Sequence, residues 1–218
     1  MLRSFLGQPG WPLSRRGEGA CRAAYRRGLA GVITVPPVLP VLDDDEAAAS
    51  QPAGPEPRVY STVVDFRQAR RALPRDSTVG FVPTMGALHE GHADLFRRAR
   101  AECDVVVGSV FVNPAQFAPH EDLDRYPRQL KRDLELLAAE GLVDLVFAPT
   151  RSDMYSPSHR IYVDPLGFDD LPEGVARPGF FRGVATVVTK LLNAVQPDRA
   201  YFGQKDALQC VLINRLVE

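Results

Sequence analysis

The sequence contains little cysteine and no charge excess of either sign, and each shortage excludes a class of protein. Its three cysteines, Cys21, Cys103 and Cys210, are too few and too irregularly spaced for a disulfide framework or a zinc site. The 26 basic and 27 acidic residues leave a formal net charge of -1, so no global field draws the chain to nucleic acid or to an anionic membrane. No apolar run approaches the roughly 18 residues of a membrane-spanning helix, so we expect no membrane span. The cysteine usage favours a reducing compartment, and the expected location is therefore the cytoplasm.

The first 57 residues differ in composition from the rest of the chain. Six arginines and a single acid, Glu18, fall within residues 1–30, and a proline-rich stretch with an acidic run at 43–46 follows. Arginine-rich, acid-poor segments are typical of organellar transit peptides. Little serine enrichment and no clear amphipathic helix favour instead a disordered extension, or a start codon placed too far upstream. We predict a disordered extension over 1–57 and a folded domain over 58–218.

Strand and helix patterns alternate regularly from about residue 59. Apolar runs rich in β-branched residues predict strands at 78–83, 104–112, 142–148 and 200–202. Apolar stripes at helical spacing predict helices at 63–73, 91–102, 130–138 and 184–195, with a last one from 207. This alternation predicts an α/β fold, a Rossmann-like doubly wound parallel sheet with crossover helices. In such sheets ligands bind at the carboxyl ends of the strands.

The segment PTMGALHEGH at 83–92 carries the strongest chemical signal. It follows a predicted strand and opens a predicted helix, where unpaired N–H groups and a partial positive charge suit a phosphate chain. Gly86 and Gly91 would let the backbone approach that ligand closely. His89 and His92 can donate to phosphoryl oxygens as charge develops in a transition state. The alternatives are two surface histidines or a zinc pair, but a zinc site needs further ligands and only two other histidines exist.

A His-x-Gly-His after a strand resembles the signature of the nucleotidylyltransferase superfamily. The wider set of motifs resembles the pantothenate synthetases in order and spacing, because PTMGALHEGH is followed by SVFVNPAQF, DLDRYPR, RGVATVVTKLLN and PDRAYFGQKD. That family adenylates (R)-pantoate with ATP, releases pyrophosphate, and lets the amine of β-alanine displace AMP to form pantothenate. The resemblance therefore implies ATP with Mg²⁺, pantoate and β-alanine as small-molecule partners, and a homodimer.

The resemblance also implies roles for particular residues. His92 would be the catalytic proton donor, with His89 assisting and Lys205 contacting the ATP phosphates. Gln116 would hold pantoate and later β-alanine, and Gln209 would bind pantoate. The residues bordering ATP would come from two segments: Met85, Gly86, Ala87, Leu88, His89, Glu90, Gly91 and His92 from the first, and Gly203, Gln204, Lys205 and Asp206 from the second.

Three positions stay open at the level of sequence. Asp133 is a candidate ligand of Mg²⁺, although an acid on an amphipathic helix is also expected at the surface. Asn113 is either a second polar contact for substrate or a turn former. Phe180 stands where family members commonly have a histidine, in a Pro-x-His-Phe pattern.

The chain stops at Glu218 within a helical pattern, without a cap or a polar tail. We therefore expect a domain that ends prematurely, without the family's Met-Ser-Ser-Arg loop and small C-terminal domain. Two alternative functions follow from these observations. One is a different nucleotidylyltransferase that acts on a phosphorylated acceptor, and the other is a catalytically silent ATP-binding module.

Overall fold

The structure is a computed structural model that describes residues 56–118, 121 and 123–218, together with the backbone of residues 31–34. The strands are β1 (Gly31–Thr34), β2 (Arg58–Tyr60), β3 (Val79–Thr84), β4 (Val105–Val110), β5 (Leu145–Phe147) and β6 (Arg199–Phe202). The helices are α1 (Val63–Arg71), α2 (Glu90–Glu102), α3 (Leu130–Ala139), α4 (Arg151–Met154), α5 (Pro172–Ala176), α6 (Phe180–Val195) and α7 (Ala207–Val217). Single 3₁₀ turns form at Pro114–Gln116 and Leu123–Arg125.

The six strands form one sheet in the order β1-β6-β3-β4-β5-β2. Strands β2 to β6 run parallel to their neighbours, and β1 pairs antiparallel to β6 at the edge. The predicted parallel sheet is therefore confirmed, with an antiparallel edge strand added. That strand lies in the segment predicted to be disordered, so residues 31–34 differ from the prediction. Residues 1–30 and 35–55 of that segment lie outside the described residues.

Helices cover both faces of the sheet, as a doubly wound fold requires. Phe66 of α1, Val188 of α6 and Leu212 of α7 pack in one apolar layer. Phe96 of α2 and Leu137 of α3 pack in the layer on the opposite face. Side chains along each central strand alternate between these layers, which explains why the strands read as continuous apolar runs. No helix in the described part of the chain is long and apolar enough to cross a membrane.

The chain reverses its direction of travel through the sheet at β3. From β3 it passes outward to β4 and β5, and it then returns to place β6 on the other side of β3. The connections that leave β3 and β6 therefore diverge, and the divergence opens a crevice above their carboxyl ends. The segments that follow these two strands are 85–92 and 203–206, the two segments that the sequence predicts to border ATP.

Candidate active site

A tightly folded loop connects β3 to α2 and carries the histidine motif. Gly86 has a φ of 84° and Ala87 a φ of 52°, so two successive residues adopt the left-handed region. Glycine takes this conformation freely, whereas alanine does so only when its surroundings hold it there. The loop begins with the Thr84 hydroxyl, which donates to Ser109 O at 2.7 Å and accepts from Gly86 N at 3.1 Å.

Asp133 of α3 holds the centre of this loop. Its side chain is only 1% exposed, and its two oxygens accept from Ala87 N at 3.1 Å and from Leu88 N at 2.8 Å. Successive N–H groups of left-handed residues form a concave anion site, and here an internal carboxylate fills that site. The expectation of a surface acid at Asp133 is therefore wrong. Both oxygens accept from the loop backbone, which gives this carboxylate a structural task, and its contact with Mg²⁺ stays a prediction.

Three further amides of the motif are also paired within the protein. His89 N donates to His92 Nδ1 at 3.4 Å, Gly91 N donates to His89 Nδ1 at 3.1 Å, and His92 N donates to His89 O at 2.8 Å. The prediction that unpaired N–H groups of this helix entrance cradle the phosphates is therefore wrong for these residues.

The two histidines form a reciprocal capping box at the start of α2. His89 is the N-cap, and each ring accepts a backbone N–H through Nδ1. A ring nitrogen that accepts a hydrogen bond carries no hydrogen, so each neutral ring holds its proton on Nε2. The ring centroids lie 4.2 Å apart. The capping box thus fixes two Nε2–H donors side by side, without using either of them.

The surroundings of His92 keep its ring neutral. Burial lowers the pKa of His92 below the ordinary histidine value, and the charges of His89 and Lys205 lower it further, whereas Asp133 opposes the shift. Lys205 therefore lies close enough to His92 for its charge to lower the pKa of the ring. A neutral imidazole at physiological pH can donate its Nε2 proton through a hydrogen bond.

Asn113, at the end of β4, organises the turn that carries Gln116. It is 1% exposed, its amide donates to Gln116 Oε1 at 2.9 Å and to Gly183 O at 3.1 Å, and its carbonyl accepts from Tyr155 OH at 2.8 Å. Asn113 also caps the 3₁₀ turn through Ala115 N. Of the two roles open for Asn113, the structure favours the turn former. The bond to Oε1 fixes the amide of Gln116 so that its NH₂ group remains a donor.

The Gln116 turn packs against α6 at a glycine. A Cβ added at Gly183 would lie 2.1 Å from Ala115 O, closer than real contacts allow, so a side chain here would displace the turn. Next to this contact, Arg177 bonds Glu121 at 2.8 Å and stacks over the ring of Phe180 at 3.7 Å. Phe180 is a buried core residue at the start of α6. An apolar ring therefore fills the position where the family pattern has histidine.

The second predicted segment is far less constrained than the histidine loop. The Lys205 side chain is 90% exposed, and its Nζ lies 3.7 Å from Asp206 Oδ1. Gly203 and Asp206 are exposed, and Gln204 and Gln209 are half-buried. The Gly203 carbonyl accepts from Cys210 Sγ at 3.4 Å, which joins this loop to the first turns of α7.

A cavity of about 370 Å³ lies on the other side of the Gly86 loop from the histidines. Of the predicted site residues only Met85, Gly86 and Asp133 line it, together with residues that follow β4 and β5. His89, His92, Gln116, Gln209 and residues 203–206 do not line this cavity. The arrangement of charged groups and the sheet topology both place the candidate site in the crevice above β3 and β6.

The structural role of Asp133 was missed at the level of sequence and that of Asn113 was left open, although both left a signal. Asp133 lies three residues after Leu130 and four before Leu137, so it sits on the apolar stripe of α3 rather than on the polar face. Asn113 directly follows an apolar strand and precedes a proline, which is the position of a cap. An acid on an apolar stripe indicates a buried partner, and here the partner is a loop.

Comparison with known proteins agrees with the motifs. The family model for pantoate–β-alanine ligases matches residues 58–218. The pantothenate synthetase of Chloroflexus aurantiacus is 56% identical over 160 residues, which cover 73% of this chain and 56% of the relative. The pantothenate synthetase of Roseiflexus sp. is 58% identical over 159 residues, which also cover 73% of this chain and 56% of the relative. The chain thus spans a little more than half the length of these relatives.

Solved structures give the same result. The pantothenate synthetase of Thermus thermophilus superposes with a TM-score of 0.69 at 53% identity, covering 73% of this chain and 56% of that one. The pantoate–β-alanine ligase of Francisella tularensis, solved with β,γ-ATP and β-alanine, gives a TM-score of 0.71 at 41% identity, covering 74% and 62%. With its fold, its histidine loop and these matches in agreement, the chain belongs to the pantoate–β-alanine ligase family.

Proposed function

We propose that the chain binds ATP and (R)-pantoate, forms pantoyl adenylate, and passes the pantoyl group to β-alanine to give pantothenate. The observation that carries this proposal is the pair of Nε2 donors that the capping box fixes on His89 and His92, in the segment that follows β3. Lys205, in the segment that follows β6, is close enough for its charge to lower the pKa of His92. Membership of the family and the ligands of the Francisella tularensis relative support the same substrates.

In the first step, a carboxylate oxygen of pantoate attacks the α-phosphorus of ATP, and the bond from that phosphorus to the bridging oxygen breaks. The electron pair leaves with pyrophosphate, and no proton has to be removed from the attacking carboxylate. Negative charge on the phosphoryl oxygens is stabilised by the Nε2–H groups of His89 and His92 and by the ammonium group of Lys205. Fixed donors of this kind act mainly by electrostatic stabilisation and positioning.

In the second step, the amine nitrogen of β-alanine attacks the acyl carbon, AMP leaves with the electron pair of the broken bond, and the nitrogen loses a proton. Gln116 holds pantoate and then β-alanine, because its NH₂ group can donate to a carboxylate while Asn113 fixes its oxygen. Gln209 contacts pantoate from α7. The residues that border ATP are Met85, Gly86, Ala87, Leu88, His89, Glu90, Gly91 and His92 on one side, and Gly203, Gln204, Lys205 and Asp206 on the other.

Magnesium enters this scheme with the nucleotide. Within the described residues, no group of three or more acids, histidines or cysteines is arranged to hold a metal ion. Asp133, the predicted ligand, already accepts two backbone N–H groups. The residues present therefore do not form a metal site of their own, and Mg²⁺ would be coordinated by ATP phosphates and water.

We further propose a homodimer and a cytoplasmic location. Ile161 and Leu166 are 79% and 88% exposed, and Val163 N donates to Thr186 Oγ1 at 3.0 Å, which holds this apolar segment against α6. A second copy would cover these side chains, and sedimentation of the variant Ile161→Asp with Leu166→Asp tests this by its expected loss of dimer. Cys103 and Cys210 form no disulfide, which is consistent with the cytoplasm.

The decisive experiment is pantoate-dependent exchange of labelled pyrophosphate into ATP, run beside an assay of pantothenate formation. Exchange with pantothenate formation supports both steps, and exchange alone supports only the adenylating step. ATP binding without exchange would favour the silent module. Exchange stimulated by a phosphorylated acceptor instead of pantoate would contradict the ligase proposal.

Two variants test the placement of the site. His92→Asn keeps an oxygen that can accept from His89 N but removes the Nε2 donor, and Lys205→Ala removes the cation. Each should lower the exchange rate by roughly 10²–10³, the usual cost of one preorganised electrostatic contact. Lys131→Ala, at an exposed lysine on α3, is the matched control and should leave the rate unchanged. Equal rates in all three variants would place the chemistry elsewhere.

A further inference from the structure

The edge strand β1 pairs with β6 along the whole length of both strands. The register joins Gly31 to Phe202, Val32 to Tyr201, Ile33 to Ala200, and Thr34 to Arg199. Valine, isoleucine and threonine are residues that favour extended strands. These four residues lie outside the part of the chain that matches the family, which begins at residue 58.

The other neighbour of β6 supports only the beginning of that strand. Strand β3 pairs with β4 along its whole length on one side, but on the other side it pairs only with Arg199 and Ala200 of β6. Among the described residues, the second half of β6, Tyr201 and Phe202, has its strand pairing with β1 alone. Removing β1 would leave these two residues on an unpaired edge.

The second half of β6 leads directly into the loop that carries Lys205. Gly203 follows Phe202 without an intervening residue, and the Gly203 carbonyl accepts from Cys210 Sγ at 3.4 Å. Since the Lys205 side chain is 90% exposed, little besides the backbone path determines where its ammonium group lies. The direction in which β6 ends therefore sets the position of the cation.

We propose that the segment 31–34 is a positioning element for the 203–206 loop. By pairing with β6 as far as Phe202, it fixes the end of the strand and holds the loop backbone facing the histidines. The consequence for ATP affinity rests on the proposed function, whereas the effect on the loop does not.

The test compares the full chain with three double variants that differ in their capacity to pair. Val32→Pro with Ile33→Pro removes two backbone donors and blocks the ladder. Val32→Gly with Ile33→Gly keeps the donors but weakens the strand. Val32→Thr with Ile33→Thr keeps both the donors and a high strand propensity, so it is the matched control. Circular dichroism verifies that each variant is folded.

Three readouts are measured on each protein. Hydrogen exchange in 199–202 should become roughly tenfold faster in the proline variant, since local opening frees the amides of an unpaired edge. Alkylation of Cys210, followed by mass spectrometry of its peptide, should become several-fold faster as Gly203 moves. The Kd for ATP should rise roughly fivefold, a small coupling expected of a positioning effect. The glycine variant should fall between the proline variant and the wild type, and the threonine variant should match the wild type.

The outcomes separate this inference from the proposed function. Equal hydrogen exchange in the wild type and in the folded proline or glycine variants would overturn the inference. Faster exchange with unchanged Cys210 alkylation would also overturn it, because the strand would then cover an edge without positioning the loop. A threonine variant that behaves like the proline variant would show that backbone pairing is not the cause. If the wild type binds no ATP, the proposed function fails, and hydrogen exchange and alkylation still decide the role of β1.

Discussion

Replacing Asp133 with asparagine tests the mechanism that folds the histidine loop. The wild-type carboxylate accepts from Leu88 N at 2.8 Å, in a buried position, and from Ala87 N at 3.1 Å, in a partly buried one. Asparagine retains one oxygen, so one of these amides would face an NH₂ group. We expect the asparagine oxygen to accept from buried Leu88 N and the NH₂ group to face Ala87 N. This arrangement costs the least free energy, because water has better access to Ala87 N.

The cost of Asp133→Asn can be worked from these contacts. Hydrogen bonds to charged groups contribute about 1.5–3 kcal/mol, and a buried donor without a partner costs about 1–3 kcal/mol. Since the two terms overlap and Ala87 N is only partly buried, we expect the free energy of unfolding to fall by about 2–3 kcal/mol. For a domain of this size, that corresponds to a decrease in Tm of roughly 4–12 °C.

The matched control is Glu135→Gln, which makes the same change of charge at an exposed position of α3. Urea unfolding of the three proteins without nucleotide gives the comparison. If Asp133→Asn is no less stable than Glu135→Gln, the carboxylate does not hold the loop. A protein of unchanged stability whose pyrophosphate exchange needs more Mg²⁺ would instead support Asp133 as a metal ligand.

Three further predictions concern the Gln116 turn and His92. Tyr155→Phe removes the hydroxyl donor to Asn113 and should raise the KM for pantoate several-fold with little change for ATP. The matched control Tyr201→Phe removes only a hydroxyl that donates to Glu102 and keeps the strand backbone, so it should lower stability by about 1 kcal/mol without affecting either KM. Gly183→Ala should lower the free energy of unfolding by about 1–3 kcal/mol through overpacking, measured by urea unfolding, and a loss below about 0.5 kcal/mol would contradict the close contact. Because the pKa of His92 is lowered in the folded protein, stability should decrease as the pH falls below the unfolded value of about 6.5. His92→Asn should make this loss of stability at low pH smaller. An NMR titration of the His92 ring with a midpoint at or above about 6.5 would refute the lowered pKa.

Much of the fold could be predicted because hydrophobic periodicity reports burial. The central strands and the helices α2, α3 and α6 all lie where their patterns place them, with ends displaced by a few residues. The longest displacement is at α6, which begins at Phe180 instead of 184, since the aromatic residues before Val184 also pack in the core. Strand β1 was missed because four residues just before a proline-rich stretch are too few to show periodicity, and their pairing is with the distant strand β6.

The loop that carries the histidines was predictable in its position but not in its hydrogen bonding. The sequence shows that a strand leads into a helix at His89, which places the motif at the edge of the sheet. It does not show that Asp133, 45 residues away from Leu88, satisfies the amides that would otherwise meet a phosphate. Nor does it show that the two histidines cap each other's backbone, because that choice depends on the loop geometry that Asp133 imposes.

The two sides of the crevice lose their conformational entropy at different stages, the histidine side when the protein folds and the lysine side when the nucleotide binds. The histidine side is rigid before any nucleotide arrives, since the amides of residues 86–89, 91 and 92 are already bonded within the protein. On the other side, immobilising the exposed lysine costs up to about 2 kcal/mol of side-chain entropy when it meets a phosphate. An acidic residue placed to hold Lys205 beforehand would not recover that amount, because it would compete with the phosphate for the same ammonium group. Tighter nucleotide binding in this scaffold therefore has to be sought in the backbone that carries the lysine, and not in new partners for its charge.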